Sequence, residues 1–370
     1  MAGSTSTLGI AAIAVHQPDW ELANGWFRDT IPRKFGHHTG IEARGISRDD
    51  EMTMGMHAVR ALQHDTGCDL ADCRGILFVS PSMIPPSVAH RLLSPQAAAA
   101  ERPGRVARLL VQAMGLARCR AVGLNWFCCG YSRALAFARH QWTDRLALRD
   151  EEYVIVVVAT RISRITDYGC GQTAGLFGDM ASATLLAPPS SRRHPVHFEI
   201  VHAHAERQPV ERPFFDFHVR HGVPVPEPDG GMRHEAGRLV YSIDGMGIAE
   251  TAPRAMAAAV ARGLSASGLV PDEVCHVVPH QAGTGIVRFT GMQLEDHGVH
   301  GDIVNGLTRR TGNVSACSVP HALHHEWDRL GGIVACPTAA VGAPGRAEVL
   351  QGCVLLRATA AHERRAGLAA

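Results

Sequence analysis

Two adjacent cysteines, Cys128 and Cys129, are the residues best suited to nucleophilic chemistry in this sequence of 370 residues. They follow the apolar run 121–127 and precede a stretch with helical spacing that starts at Gly130, which predicts a strand, a turn and a helix. A thiol at the start of a helix lies near unpaired N–H groups and the positive end of the helix dipole, which favour the thiolate. The same N–H groups stabilise an oxyanion when the sulfur attacks a carbonyl. The alternative is that both cysteines are small apolar side chains that fill a tight junction.

A nucleophilic cysteine needs a partner that the fold, rather than the sequence, brings close to it. His280 stands out among the 22 histidines because it ends the apolar pattern VCHVVPH and precedes a helix. Active sites of α/β proteins form at such edges of the sheet. Asn313 lies in the turn TGNVSACS before another helix. From the local pattern alone, a histidine bonded to the backbone and an asparagine that forms a turn or caps a helix remain alternatives.

Short apolar strands alternate with helical patterns along the whole chain, which predicts an α/β protein with buried sheets. The predicted strands include 8–15, 74–79, 153–159, 181–187, 274–278 and 348–357, and the predicted helices include 21–28, 49–66, 105–114 and 250–267. Residues 195–240 are rich in His, Pro and charge, and we expect one strand at 197–203 and a long surface loop there. The composition shifts at 188–193, so we divide the chain into halves 1–190 and 191–370, which we interpret as products of an ancient duplication.

The composition is that of a globular protein and excludes several classes of function. Charged residues make up 19%, apolar residues 46%, and the formal net charge is +1, so neither nucleic acid nor an anionic membrane is an expected partner. The ten cysteines have no C-x-x-C spacing, which favours a reducing compartment over a disulfide framework. The N-terminus has no basic segment of a signal peptide, so we expect a cytoplasmic protein. The histidines at 321, 324 and 325 lack the H-E-x-x-H spacing, so no metal site is expected.

Taken together, these stretches resemble the β-ketoacyl-acyl-carrier-protein synthase III family of the thiolase superfamily. The matching segments occur in order along nearly the whole chain: TGI-x-x-R at 39–44, the acid-led helix at 49–62, ILFVSPS at 76–82, C-x-GY-x-x-A-L at 128–135, LFGD at 176–179, PHQA at 279–282 and GN-x-S-x-x-S-V-P at 312–320. The resemblance implies a thiolase-like α/β fold in which two duplicated halves pack as αβαβα layers. It also implies a homodimer.

The resemblance implies a catalytic role for Cys128, His280 and Asn313. Cys128 would be acylated by an acyl thioester, and the other two side chains would donate hydrogen bonds to a malonyl thioester as it loses carbon dioxide. The backbone N–H groups of Cys128 and Gly345 would stabilise the oxyanion. Acyl-CoA or an acyl-carrier protein would supply the acyl group, malonyl-CoA or malonyl-carrier protein would supply the extender, and no metal or redox cofactor would be required.

Several positions depart from the family pattern at the substrate-binding end. Lys34, Phe35 and His38 hold the positions before TGI where the family has an aromatic residue and an arginine that grip the CoA adenine, and Gly283 and Gly285 replace the Asn and Arg that follow PHQA. We assign substrate binding to Phe35, His38, Gln281 and Gly283. The departures predict a specialised relative with an unusual acyl donor, working in secondary metabolism.

Three other functions fit the same residues. A type III polyketide synthase-like enzyme shares the Cys-His-Asn set, and an acyltransferase would make an ester or an amide from an acyl thioester. A protein of a different class would be a catalytically silent partner of another synthase. Retention of all three polar side chains favours decarboxylative condensation, because simple acyl transfer needs a base but no donors to an enolate.

Overall fold

The computed structural model describes residues 7–27 and 29–368. The strands are β1 (Gly9–His16), β2 (Trp20–Ala23), β3 (Ala43–Ile46), β4 (Cys73–Val79), β5 (Arg120–Leu124), β6 (Tyr153–Thr160), β7 (Met180–Ala187), β8 (Phe198–Pro209), β9 (Phe215–Arg220), β10 (Val223–Pro226), β11 (Met232–Glu235), β12 (Arg238–Ile243), β13 (Val274–Val277), β14 (Asp302–Ile303), β15 (Ile333–Val341) and β16 (Glu348–Ala358). The helices are α1 (Phe35–Thr39), α2 (Glu51–Thr66), α3 (Pro86–Leu92), α4 (Pro95–Ala100), α5 (Pro103–Ala113), α6 (Gly130–Phe137), α7 (Thr143–Leu146), α8 (Gly245–Ser267), α9 (Thr284–Glu295), α10 (Thr308–Thr311), α11 (Ser318–His325) and α12 (Ala360–Ala366).

Ten of these strands form the main sheet, which consists of two blocks with the same internal order. The first block is β5-β4-β6-β7-β1 and the second is β14-β13-β15-β16-β8. Numbered along the chain within each block, both read third, second, fourth, fifth, first. In the first block, β5, β4 and β6 pair in parallel, β7 pairs antiparallel with β6, and β1 pairs antiparallel with β7. In the second block, β14, β13 and β15 pair in parallel, β16 pairs antiparallel with β15, and β8 pairs antiparallel with β16. The blocks meet where β1 pairs antiparallel with β8. The predicted division at residue 190 lies between β7 and β8, and the duplication itself stays a prediction.

The side chains of the sheet alternate between two apolar layers, which gives the molecule five layers. On β4, Leu77 and Val79 pack in the same cluster as residues of α6 and α11, whereas Ile76 and Phe78 pack with residues of α2 and α5. The cluster around α6 and α11 also contains residues of β15 and β16, so these two helices lie between the blocks. Helices α8 and α9 cover the outer face of the second block. The αβαβα arrangement is therefore confirmed, because strands buried on both faces need helices on both sides.

Most of the predicted elements are present, and two segments differ. Residues 20–23 form β2 rather than a helix, with Leu22 buried between exposed neighbours, and four residues are too few for periodicity to separate the two structures. The last residue of that predicted helix, Arg28, lies outside the described residues. The expected surface loop instead contains β9 to β12, since Phe215 and Phe217 alternate with exposed residues and pair with β12. Residues of β9 and β12 line the main cavity of the molecule.

Candidate active site

Cys128 lies in a strained turn between β5 and α6. Strand β5 ends at Leu124, earlier than predicted, and Phe127–Cys129 form one turn of 3-10 helix. Phe127 has a φ of 43°, a left-handed conformation that costs about 1–3 kcal/mol in a residue with a side chain. Asn125 holds the turn, because its Oδ1 accepts the Phe127 N–H at 3.2 Å and its Nδ2 donates to the Met83 carbonyl at 2.7 Å.

Gly130 lets α6 begin directly against the sheet. A Cβ atom at this position would lie 2.4 Å from Cγ1 of Val79 on β4, closer than carbon atoms approach. Any side chain here would push the start of α6, and Cys128 with it, away from the strand. The glycine of the C-x-G motif therefore has a packing role that sets the position of the thiol.

The loop that carries Asn313 is locked to the loop that precedes β7. The Asn313 N–H donates to the Leu176 carbonyl at 3.0 Å, and the Gly178 N–H donates to the Asn313 carbonyl at 3.1 Å. A Cβ atom at Gly178 would lie 2.0 Å from the carbonyl oxygen of Thr311, so only glycine permits this approach. The LFGD and TGN motifs are distant in sequence, but they form one structural unit that fixes Asn313.

Ser315 connects Asn313 to Cys128. The Asn313 side-chain oxygen accepts the Ser315 N–H at 2.9 Å, and the Ser315 hydroxyl donates to the Cys128 sulfur at 3.3 Å. Ser315 has a φ of 51°, so a second left-handed residue lies beside the thiol. Because the side-chain oxygen of Asn313 is already hydrogen-bonded, the side-chain NH₂ group is the part of Asn313 that is available to a ligand.

His280 follows β13 and is held on two sides. Its backbone N–H donates to the Pro337 carbonyl at 2.9 Å, and its Nδ1 lies 2.6 Å from the Ser318 hydroxyl oxygen. That oxygen also accepts the N–H of Gln281 at 3.3 Å. Burial lowers the pKa of His280 to about 4, so the imidazole is neutral at neutral pH. With Nδ1 engaged by Ser318, Nε2 is the nitrogen left for a ligand.

The thiol of Cys128 is neutral in the free protein, contrary to the expected thiolate. Burial raises the pKa of Cys128 to about 11, and this outweighs the hydrogen bond from Ser315 and the residue's own backbone N–H, which both lower the pKa. The N–H groups of Cys129 and Gly130 are engaged by the carbonyls of Trp126 and Phe127. The helix start therefore gives the sulfur fewer free N–H groups than the sequence suggested.

One cavity of about 1120 Å³ brings these side chains together. Cys128, His280 and Asn313 all line it, although they come from loops after β5, β13 and β14. Three of the four residues assigned to substrate binding also line it, namely Phe35, His38 and Gly283. Gly283 has a φ of 143°, and a Cβ atom there would lie 3.2 Å from the Thr39 carbonyl oxygen. Glycine at this position therefore lets the start of α9 approach α1 closely.

Two assigned residues lie elsewhere and are corrected. The Gln281 side chain is hydrogen-bonded to the backbone: its Nε2 donates to the carbonyls of Pro279 at 3.1 Å and Val304 at 2.9 Å. The Gly345 N–H donates to the Phe215 carbonyl at 2.9 Å and is unavailable to an oxyanion. Neither residue lines the cavity. The sequence could not reveal this, because neither residues 279–283, which lie beyond the end of β13, nor the hairpin 342–347 has a periodicity that sets side-chain direction.

Ser315 and Ser318 contact the site although their sequence pattern predicted no role for them beyond the GN-x-S-x-x-S motif. Their positions two and five residues after Asn313 place one on a 3-10 turn and the other at the start of α11. A serine that caps a helix gives the same sequence pattern as a serine that contacts a reactive side chain. Only the folded arrangement, in which α11 lies against β13 and α6, separates the two roles.

Arg44 of the TGI-x-x-R motif and Asp179 of the LFGD motif lie outside the cavity and hold the loop that contacts Asn313. Arg44, which is fully buried, donates to the carbonyls of Leu22 at 2.9 Å and Gly175 at 2.8 Å. Asp179 accepts the N–H groups of Ser47 at 2.9 Å and Ser163 at 3.0 Å, while burial raises the pKa of its carboxyl to about 6. These two residues hold the loop 174–179, and through it the backbone of Asn313.

All ten cysteines are free thiols. Over residues 7–27 and 29–368, no group of three or more His, Cys, Asp and Glu side chains is arranged to hold a metal ion. No helix in the same part of the chain is long and apolar enough to cross a bilayer.

Comparison with known proteins agrees with this geometry. Residues 264–342 match the sequence model of the 3-oxoacyl-[acyl-carrier-protein] synthase III C-terminal family. The chain is 29% identical over 327 residues to a β-ketoacyl-[acyl-carrier-protein] synthase III of Geobacillus kaustophilus, covering 86% of this chain and 89% of the relative. Its fold superposes on the crystal structure of 3-oxoacyl-[acyl-carrier-protein] synthase III from Aquifex aeolicus with a TM-score of 0.66 and 20% identity, covering 95% and 99% of the two chains. It superposes similarly on the priming β-ketosynthase of the R1128 polyketide biosynthetic pathway, with a TM-score of 0.65, 20% identity and coverages of 95% and 97%.

The two repeated strand blocks, with central helices between them, define a protein of the thiolase fold class. Within that class, the sequence relatives indicate a condensing enzyme, a β-ketosynthase. The chain is similar in sequence and in fold to β-ketoacyl-acyl-carrier-protein synthases III.

Proposed function

We propose that the protein transfers an acyl group to Cys128 and then condenses it with a malonyl thioester to give a 3-oxoacyl thioester. The observation that carries this proposal is the shared cavity, in which a thiol, an imidazole and a carboxamide from three separate loops meet. A covalent acyl-enzyme divides the carbon–carbon bond formation into two easier steps.

In the first step, the Cys128 sulfur attacks the carbonyl carbon of the acyl donor. The C–S bond to the donor's thiol breaks, and the proton of Cys128 ends on that leaving thiol. Since the Cys128 pKa is about 11, the attack needs an acceptor for the proton, and the neutral imidazole of His280 supplies one. The Cys128 backbone N–H beside the sulfur donates to the developing oxyanion.

In the second step, the malonyl thioester loses carbon dioxide and the electron pair of the broken C–C bond becomes an enolate. Charge grows on the thioester oxygen, where Nε2–H of His280 and the amide of Asn313 donate hydrogen bonds. The enolate carbon then attacks the acyl carbon, the bond to Cys128 breaks, and the sulfur takes a proton from water to restore the thiol. Donors fixed before the reaction are most effective where charge develops.

Ser318 suits both steps because its hydroxyl either donates to or accepts from Nδ1 of His280. When Ser318 accepts, Nε2 carries no proton and acts as the base of the first step. When Ser318 donates, Nε2 carries the proton and acts as the donor of the second step. The bond from the Gln281 N–H to the same oxygen holds the hydroxyl in place throughout.

The proposal extends to the setting in which the enzyme works. The departures from the expected CoA-binding pattern at Lys34, Phe35 and His38, and the glycines at 283 and 285, support a role in specialised rather than general fatty-acid metabolism. The R1128 relative in fold is named for a polyketide pathway. The acyl donor is an acyl-CoA or an acyl-carrier protein, and the active form is a homodimer. Ten free thiols support a reducing compartment such as the cytoplasm.

The test is a condensation assay with acyl-pantetheine donors, which share the arm common to CoA and carrier proteins, and malonyl-pantetheine. We expect 3-oxoacyl-pantetheine and carbon dioxide in equal amounts, and no 3-oxoacyl-pantetheine from Cys128→Ala. The matched control is Cys275→Ser, because Cys275 is an exposed thiol outside the cavity. An ester or amide product without release of carbon dioxide would identify an acyltransferase instead and refute the proposal.

A further inference from the structure

The cavity has an exposed end and a buried end. Met246 and Phe289 line the exposed end, where their side chains are 71% and 46% accessible. Ile162, Phe215 and Tyr241 line the other end and are all buried. A donor that enters from solvent therefore places its pantetheine arm at the exposed end, and its acyl group extends toward the buried end.

An aromatic wall, formed by Phe127, Phe177, Phe215 and Tyr241, borders the buried end. The ring centroids lie 5.3 Å apart for Phe127 and Phe215, 6.0 Å for Phe215 and Tyr241, and 5.7 Å for Phe177 and Tyr241. Phe127 precedes Cys128 in the chain, and Phe177 forms a β-bridge with Asn313. The wall thus begins beside the two reactive side chains and continues onto β9 and β12, away from the main sheet.

The buried end is also aliphatic and uncharged. Ile162 and Ile165 belong to the same apolar cluster as Phe215, Tyr241 and Val341. Among the described residues that line the cavity, Arg288 is the single Arg, Lys, Asp or Glu, and it lies exposed at the other end. A charged acyl group would lose its hydration here without gaining a partner, which is costly.

The volume argues against a small acyl group. Cavities that hold drug-sized ligands usually measure about 300–1,000 Å³, and this cavity measures about 1120 Å³. The pantetheine arm occupies the exposed end, but an acetyl group would leave the aromatic wall without contacts.

We infer that the acyl group accepted by Cys128 is bulky and uncharged, much larger than acetyl, and that the aromatic wall selects it. This inference rests on the proposed function and specifies its substrate class. A medium-length alkyl chain and an aryl-bearing chain share the required chemistry, so the experiment includes one of each.

The first test compares acetyl-, octanoyl- and cinnamoyl-pantetheine by intact mass of the protein over time. We expect octanoyl or cinnamoyl to acylate Cys128 at least about tenfold faster than acetyl at equal concentration, since each added methylene in an apolar pocket is worth about tenfold or more. Equal or faster acylation by acetyl overturns the inference and leaves the proposed function intact. No acylation by any of the three overturns the proposed function.

The second test narrows the buried end with Val341→Phe. Val341 is buried beside Phe215 and Tyr241 and lines the cavity, so an added ring takes the space of the acyl group. We expect the ratio of octanoyl to acetyl acylation rates to fall at least about tenfold. An unchanged ratio in a folded variant overturns the inference.

Two further variants serve as a control and as a replacement for Val341→Phe. Leu109→Phe adds the same ring at an exposed position outside the cavity, and the ratio should not change. Should Val341→Phe melt at a much lower temperature than the parent, Ile243→Phe narrows the same end from a half-buried position and carries the same expectation.

Discussion

Two serines from one short segment contact the two most reactive side chains. Ser315 donates to the sulfur of Cys128, and Ser318 lies against Nδ1 of His280. The segment 313–318 therefore supplies Asn313 and also the hydrogen-bond partners of the other two residues. A single loop therefore fixes the relative positions of all three side chains.

For single residues, we predict that Ser318→Ala slows condensation by about tenfold, because one hydrogen bond to a reacting group contributes about that factor to the rate. Ser318→Thr should restore most of the rate because it keeps the hydroxyl. The pH profile of condensation, measured with malonyl-pantetheine, should shift in the alanine variant and return in the threonine variant. A purely structural serine would lower the melting temperature and leave the pH profile unchanged.

Asn313→Asp isolates the amide of Asn313, because aspartate keeps the oxygen that accepts the Ser315 N–H and lacks the donating NH₂. We predict a loss of about 10²–10³ in the decarboxylation rate, with acylation of Cys128 much less affected. The measurement is carbon dioxide release from malonyl-pantetheine beside the acylation rate by mass. Equal losses in both steps would contradict the assignment of Asn313 to the enolate.

At the scale of elements, the position of Asn313 depends on the contact between the LFGD and TGN loops. We predict that Gly178→Ala destabilises the protein by about 1–3 kcal/mol, because the added methyl meets the Thr311 carbonyl and forces the loops apart. Condensation should fall further than the fraction of folded protein explains.

Gly25→Ala is the matched control, since a Cβ atom there meets nothing within 4 Å. Urea unfolding and condensation assays on both variants test the prediction. A Gly178→Ala protein as stable and active as Gly25→Ala would show that the two loops are not coupled.

The elements also show where sequence reasoning succeeds. Helix α2 and strand β6 were predictable because a helical stripe and an unbroken apolar run are strong signals. Motifs singled out Cys128, His280 and Asn313, which line one cavity, and their catalytic roles stay a prediction. The contacts of Ser315 and Ser318, the engaged N–H of Gly345 and the inward side chain of Gln281 depend on how separate loops meet. Local sequence patterns carry no information about contacts between distant loops.

At the scale of the whole molecule, the two strand blocks place their reactive loops in corresponding positions. Cys128 follows the third strand of the first block and Asn313 follows the third strand of the second block, each just before a central helix. The connections after the first strands, residues 17–50 and 210–244, likewise both reach the cavity, one with Phe35 and His38 and the other with the aromatic wall. The repeated architecture thus builds one asymmetric site from corresponding loops.

The buried histidines make the stability of the fold depend on pH. Burial lowers the pKa of His197, His280 and His321 to about 4. Their unfolded pKa is about 6.5, so the unfolded chain binds more protons between these values and stability is lost as the pH falls through this range. Asp179, with its pKa raised to about 6, acts in the opposite direction and offsets part of this loss, whereas the half-buried His202, whose pKa burial also lowers to about 4, adds to it.

We therefore predict that the free energy of unfolding falls by about 4 kcal/mol between about pH 7 and about pH 5. Urea unfolding at the two pH values measures it. His321→Gln should reduce the dependence, whereas the same change at the exposed His64 should not. Equal or greater stability at the lower pH would contradict this account.

The central claim is that Cys128 carries the acyl group that a malonyl thioester then removes. The most direct measurement is peptide mass mapping of the protein after incubation with the acyl-pantetheine that loads fastest, before and after addition of malonyl-pantetheine. We predict an acyl adduct on the peptide that contains Cys128, which disappears on addition as 3-oxoacyl-pantetheine forms. An adduct on another residue, or one on Cys128 that persists while product forms, would contradict the claim.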